Sequence, residues 1–276
     1  MKSPSAPISP VAPASDDVVL YELSEGLATV TLNRPDKLNS LNAAMHARLR
    51  GVLDQIAAEP SVRAVLLTGS GRGFCAGQDL AERKRMPGEP APDLGQTIEK
   101  NWNPLARALR YLKVPIICAV NGVAAGAGVN IALACDVVIA ARSANFVLSF
   151  SRIGLIPDAG GSYYLPRLVG EARAMGMALF GEKISAADAA SCGLIWRCVD
   201  DGDLAELALK LGKSLAQGPT LGLGALKRVV RNSLDHSFEE QLEIERRTQQ
   251  QCGASEDYRE GVAAFMEKRV PQFKGR

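Results

Sequence analysis

A chain of 276 residues can bury a large core, in one sizeable domain or two small ones. Its 47 % apolar and 22 % charged residues, with a net charge of +2, fit an ordinary globular protein. The basic residues are dispersed, which argues against a nucleic-acid groove, and no run approaches the length of a membrane span.

The first fifteen residues, MKSPSAPISPVAPAS, are rich in Pro, Ser and Ala and lack an apolar segment. They read as a disordered tail over 1–16 and not as a signal peptide, so a cytoplasmic location is expected. VVLYEL and LATVTLN, joined around Ser24, Glu25 and Gly26, form a hairpin pattern. Asn39 is placed to cap a helix over about 42–58, whose Leu41, Met45, Leu49, Leu53 and Ile56 share a face. A buried strand follows at 62–68, closed by GSGRG. A polar stretch from Arg83 to Pro92 has the composition of a mobile loop, and a helix runs on to about Leu112. PIICAV is a second buried strand, NGVAAGAG a turn opening a helix to Ala134, and DVVIAA a third strand. Strands alternating with helices predict a mainly parallel sheet. Beyond Pro157 the pattern is helical, over 160–180, 185–192, 203–217, 219–233, 237–251 and 255–268.

Cys75, Cys118, Cys135, Cys192, Cys198 and Cys252 show no metal-ligand spacing, and several lie in apolar runs. They read as reduced structural thiols. His46 and His236 stand alone, so no metal site is expected.

Two glycine-rich turns, GRGFCAGQDL at 71–80 and NGVAAGAGVNIALACD at 121–136, follow buried strands. Glycine lets backbone N–H groups face a ligand, and a helix N-terminus adds positive potential there. Two readings stand, a pair of packing turns or a site for an oxyanion. GVAAGAG contains no GxGxxG and the chain no GxSxG or P-loop, which disfavours a dinucleotide fold, a serine hydrolase and a P-loop enzyme.

LNRPDKLNSLN at 32–42, FCAGQDL at 74–80, PIICAVNGVAAGAGVNIALACDVVIA at 115–140 and IGLIPDAGGSYYLPRLVG at 153–170 occur in this order. As a set they resemble the enoyl-CoA hydratase/isomerase (crotonase) superfamily, over about residues 18 to 273. The resemblance implies an α/β, ClpP-like β-β-α superhelix over 17–200 and a helical C-terminal trimerisation region over 201–276. It also implies homotrimers that commonly pair into hexamers, and an acyl-CoA thioester substrate. Coenzyme A would enter as part of that substrate, with no tightly bound cofactor, metal, nucleic acid or membrane.

By the same resemblance, the backbone N–H groups of Gln78 and Ala127 form an oxyanion hole for the thioester carbonyl. Family hydratases carry two glutamates where this chain has Asn130 and Phe150, and neither residue can act as acid or base. Asp158 stands where hydratases usually have glycine and where the isomerases of the family place an acid. It reads either as a cap of the helix beginning near Ala159 or as a proton carrier. Flanking Phe150, Ile153, Leu155 and Ile156 would raise its pKa by desolvation, while the helix N-terminus would lower it.

Within the family the motifs are most similar to the isomerases acting on ring-1,2-epoxyphenylacetyl-CoA. The implied chemistry is a proton and double-bond shift beside the thioester, with enoyl-CoA hydration as the alternative. A non-catalytic binding protein of the same fold is the reading from outside enzymes. Phe150 with Tyr163 or Tyr164 would wall an aromatic acyl group, or equally belong to the core. For the substrate and its CoA moiety the resemblance points to Arg34, Lys37, Ala76, Asp79, Asn130 and Phe150, and to Phe265 and Lys268 reaching a neighbouring subunit's CoA. Taken singly, each lysine reads more readily as a solvated surface residue, and Asp79 also as a support of the oxyanion loop.

Overall fold

The computed structural model describes residues 17–83 and 92–276. The expected tail over 1–16 and most of the expected mobile stretch lie outside the described residues. The hairpin forms as β1 (Val19–Ser24) and β2 (Leu27–Leu32), turned by Glu25 and Gly26, both at positive φ. Helix α1 (Ala43–Ala58) follows, capped by Asn42, whose Oδ1 accepts from the Met45 N–H at 2.9 Å. The expected cap, Asn39, has a different task. Fully buried at φ +55°, it accepts from Arg34 N–H (2.7 Å) and donates to the carbonyls of Ser70 (2.9 Å) and Gly73 (2.8 Å).

Strand pairs then alternate with helices. β3 (Ala64–Gly69) and β4 (Gly73–Cys75) lead, after residues outside the description, to a helical run. This run contains α2 (Leu94–Thr97), a π-turn at Ile98–Trp102 and α3 (Asn103–Tyr111). β5 (Ile116–Val120) and β6 (Val123–Ala125) lead to α4 (Ala127–Ala134). β7 (Val137–Ala141) and β8 (Asn145–Val147) lead to α5 (Gly161–Val169) and α6 (Glu171–Phe180). β9 (Lys183–Ser185), α7 (Ala186–Ser191) and β10 (Arg197–Val199) close this part.

The first strand of each pair joins a six-stranded sheet ordered β1-β2-β3-β5-β7-β10, parallel from β2 onward. The second joins a four-stranded sheet ordered β4-β6-β8-β9. This is the expected superhelix of β-β-α turns, and β5 is buried along its whole length, as a parallel strand covered on both faces must be. The sequence reading passed over β4, β6, β8, β9 and β10, each three residues long. It also ran α5 and α6 together, which part at Gly170 (φ +78°).

α8 (Leu204–Ala216) packs across β3, β5 and β7 and so belongs to the packing of the core. α9 (Thr220–Asn232), α10 (Phe238–Gly253) and α11 (Glu256–Glu267) then leave it, and α10 buries none of its residues. α9 is tied back by Asp136, whose carboxylate takes Lys227 at 2.8 Å and Arg231 at 2.9 Å. Among the described residues no helix is long and apolar enough to cross a membrane.

Candidate active site

The loop after β4 and the N-terminus of α4 meet backbone to backbone. Gly77 (φ +84°) lies so close that a Cβ there would fall 2.8 Å from the Ala125 carbonyl and 3.2 Å from the Ala127 nitrogen. A Cβ on Gly128 would run into the carbonyl of Cys75. Only glycine permits this approach.

The peptide planes are set from behind. The Gly77 carbonyl accepts from Leu41 N–H at 2.7 Å, and the Leu41 carbonyl accepts from Asp79 N–H at 2.9 Å. A trans peptide with its C=O held on one side turns the following N–H, that of Gln78, to the other. Likewise the Gly126 carbonyl accepts from Val129 N–H at 3.1 Å, so the Ala127 N–H faces out of the helix start. Neither the Gln78 nor the Ala127 N–H has an acceptor among the described residues. Two free donors, one at a helix N-terminus, suit an oxygen that gains negative charge.

Asp158, in the loop before α5, lies against α4 one turn from Ala127. Asn130, three residues beyond Ala127, donates through Nδ2 to the Asp158 main-chain carbonyl at 2.8 Å. That carbonyl also takes Gly161 N–H at 2.8 Å, closing a turn through Ala159 (φ +46°) and Gly160 (φ +86°). The cap reading fails here, because α5 starts at Gly161 with Gly160 as its N-cap and no side chain capping it. Asp158 Oδ1 is instead buried without a hydrogen-bond partner. Burial pushes the carboxyl up to about 6, against a smaller lowering by its own backbone N–H.

The expected source of that desolvation needs correction. Ile153, Leu155 and Ile156 are exposed in the single chain, Ile156 at 80 %, whereas Phe150 is buried with its ring beside Gly126.

The other expected site residues divide. Arg34 is committed to the loop: Nη2 pairs with Asp79 Oδ2 at 2.9 Å and Nη1 donates to the Ser40 carbonyl at 2.6 Å. Burial alone would raise the Asp79 carboxyl, but the Arg34 guanidinium and the Ala81 N–H hold it below the usual range. Both residues support the Gln78 loop, and Ala76 joins them through its N–H on the Leu38 carbonyl at 2.9 Å. Asn130 is wholly buried and clamps Asp158 through its main-chain carbonyl. Tyr163 also leaves the set of candidate pocket aromatics, since its hydroxyl meets Arg110 and Asp235 while Arg167 lies 3.6 Å over its ring. Tyr164 stays close, packed beneath Gly160.

Lys37 is exposed, and its ammonium has no partner among the described residues. Phe265 is 81 % exposed on α11, and Lys268 is the left-handed cap just past that helix. Among the described residues no three His, Cys, Asp or Glu side chains gather to hold a metal ion.

Trp102 and His46 were missed as site residues because each reads in sequence as an isolated core side chain. Trp102 Nε1 donates to Gln78 Oε1 at 3.2 Å, and His46 packs edge-on to Trp102 with ring centroids 4.5 Å apart.

The model of the enoyl-CoA hydratase/isomerase family matches residues 22–276. The 1,2-epoxyphenylacetyl-CoA isomerase of Escherichia coli K12 is 52 % identical, covering 94 % of this chain and 99 % of its own. A probable enoyl-CoA hydratase of Rhodobacter capsulatus is 49 % identical, covering 94 % and 98 %. A crystal structure from Mycobacterium abscessus, assigned to the enoyl-CoA hydratase/isomerases, superposes with a TM-score of 0.87 at 37 % identity. It covers 94 % of this chain and all of its own. With its sheet pair, its two facing amides and this likeness along nearly its whole length, the chain belongs to the enoyl-CoA hydratase/isomerase family, the crotonases.

Proposed function

We propose that this enzyme is an acyl-CoA isomerase in which Asp158 carries one proton between carbons of the acyl group. The Gln78 and Ala127 amides bind the thioester oxygen. Asp158 removes a proton from the carbon beside the carbonyl, and negative charge moves onto that oxygen as an enolate. The protonated acid then returns the proton further along the conjugated system, which leaves the double bond next to the carbonyl. Nothing is gained or lost overall. Two preorganised donors on the enolate oxygen are worth several kcal/mol at the transition state.

The observation that carries this reading is the half-buried Asp158, whose Oδ1 is shut away without a hydrogen-bond partner and whose carboxyl burial pushes up to about 6. A base of that strength is ionised at neutral pH yet strong enough to take a proton. The relative in Escherichia coli named 1,2-epoxyphenylacetyl-CoA isomerase supports an aromatic ring epoxide thioester as the substrate. The buried Phe150 beside the Gly126 turn suits an aromatic acyl group. For the CoA moiety, Lys37 offers an unpaired point charge to a phosphate. The exposed apolar residues Leu226, Val230, Phe265 and Met266 on α9 and α11 favour self-association through the C-terminal helices, as a trimer or hexamer.

The test is incubation with a 3-enoyl-CoA in heavy water. Conjugation with deuterium entry is expected, and Asp158→Asn should abolish both while CoA ester affinity holds. Brisk hydration of crotonyl-CoA that survives the same substitution would instead establish a hydratase.

A further inference from the structure

We infer that Trp102 is a positioning residue of the oxyanion hole, acting on the Gln78 peptide through the Gln78 side chain. The inference rests on the reading that the Gln78 and Ala127 amides hold the thioester oxygen.

Gln78 is gripped at both ends of its side chain. Nε2 donates to the Leu41 carbonyl at 3.2 Å, and Oε1 accepts from the Trp102 indole at 3.2 Å. The main chain on either side is held by the same Leu41, through Gly77 and Asp79. The Gln78 N–H therefore sits on a residue fixed at four points, three of them on Leu41 and one on Trp102. Rotating that peptide about its neighbours would break at least one of them.

The Trp102 end is itself rigid. The indole is 2 % exposed, and its one polar atom is spent on Gln78, as a buried indole N–H requires. Trp102 closes the π-turn at Ile98–Trp102, an irregularity that costs helix regularity and recurs at functional positions. The His46 ring backs the indole edge-on from α1. Both His46 nitrogens are buried without partners, so the imidazole serves here as an apolar wall. A tilt of a donor by a fraction of an ångström is enough to weaken an oxyanion contact, since such donors act only when preorganised.

The test uses the full-length enzyme and four variants: Trp102→Phe, Gln78→Met, the pair together, and Trp196→Phe as a control at the exposed second tryptophan. Cinnamoyl-CoA, a conjugated thioester, serves as the probe, and its carbonyl stretch is read by infrared difference spectroscopy. Wild type and the control should lower the stretch on binding. Trp102→Phe and Gln78→Met should each lose part of that shift and about tenfold in kcat on a 3-enoyl-CoA, with KM changed less than about threefold. The pair should lose no more than Gln78→Met alone, because that variant already removes the Trp102 contact along with the one to Leu41. Retention of the band shift and kcat in a folded Trp102→Phe or in Gln78→Met, or additive losses in the pair, overturns the inference while leaving the oxyanion hole intact. Absence of any shift in wild type overturns the hole and the inference together. Gln78 is half-buried on a loop, so its variant keeps the test decisive if Trp102→Phe fails to fold.

Discussion

The Asn130 side chain reaches from α4 to the main chain of Asp158, 2.8 Å from amide to carbonyl, with Gly161 packed against its other face. The contact links α4, whose N-terminus holds the Ala127 N–H, to the loop that carries Asp158. A Cβ on Gly161 would stand 2.5 Å from the Asn130 amide. Gly161→Ala should therefore push Asp158 out of place, with kcat down by about a hundredfold, because misplacement of about 1 Å is enough for that. The cost in stability should be about 1–3 kcal/mol, as for other overpacked sites. Steady-state kinetics and urea unfolding check both.

Asp158 also sets a pH dependence. A carboxyl at about 6 in the folded chain and near 3.8 when unfolded favours the protonated native form. Its stabilising contribution is complete below pH 3.8 and is lost as pH rises through about 6. The lost contribution is at most about 3 kcal/mol. Asp158→Asn lacks this loss, so it should melt higher than wild type at pH 7.5 and nearly level with it at pH 4. Activity should run the opposite way, with kcat/KM of the wild type rising through a single ionisation near 6.

Gly77→Ala probes the hole without touching the base. The new methyl group would meet the Ala125 carbonyl at 2.8 Å on a backbone at φ +84°, and the Gln78 N–H must turn away. Loss of one donor is worth about a hundred- to a thousandfold in kcat. Proton exchange from a bound acyl-CoA should fall in step with turnover, since both pass through the same enolate.

Asp136 secures the departing helices. It is 11 % exposed and holds Lys227, whose own pKa burial lowers, together with Arg231. Asp136→Ala leaves two largely buried cations without their anion, and should cost about 3–5 kcal/mol. Calorimetry should show this loss, and limited proteolysis should find α9 cut before the sheet.

The large sheet was legible because its central strands are continuous apolar runs bounded by glycine turns. The helices of the C-terminal part were legible from period alone. Three-residue strands carry no period to read, so β4, β6 and β8 stayed hidden although they form the small sheet that holds the Gln78 and Ala127 turns. Asn39 and Asn42 stand three residues apart before the same helix, and only the backbone decides between them: Asn39 adopts positive φ and turns inward. The Gly-rich turns and Asp158 stood out by residue type. Their supports did not: Trp102 went unremarked, and Asn130 and Arg34, named through the resemblance, were given other roles, because their contacts act across 24 to 45 positions of chain, which no local pattern encodes.

The seating of Asn130 against Gly161 also narrows what position 130 can hold. A glutamate at position 130 would need room that the bare glycine backbone already fills, and the loop that must yield is the one bearing the base. Introducing an acid at position 130 would thus shift the Asp158 loop as well. One amide seated on one bare glycine couples the size of residue 130 to the placement of Asp158.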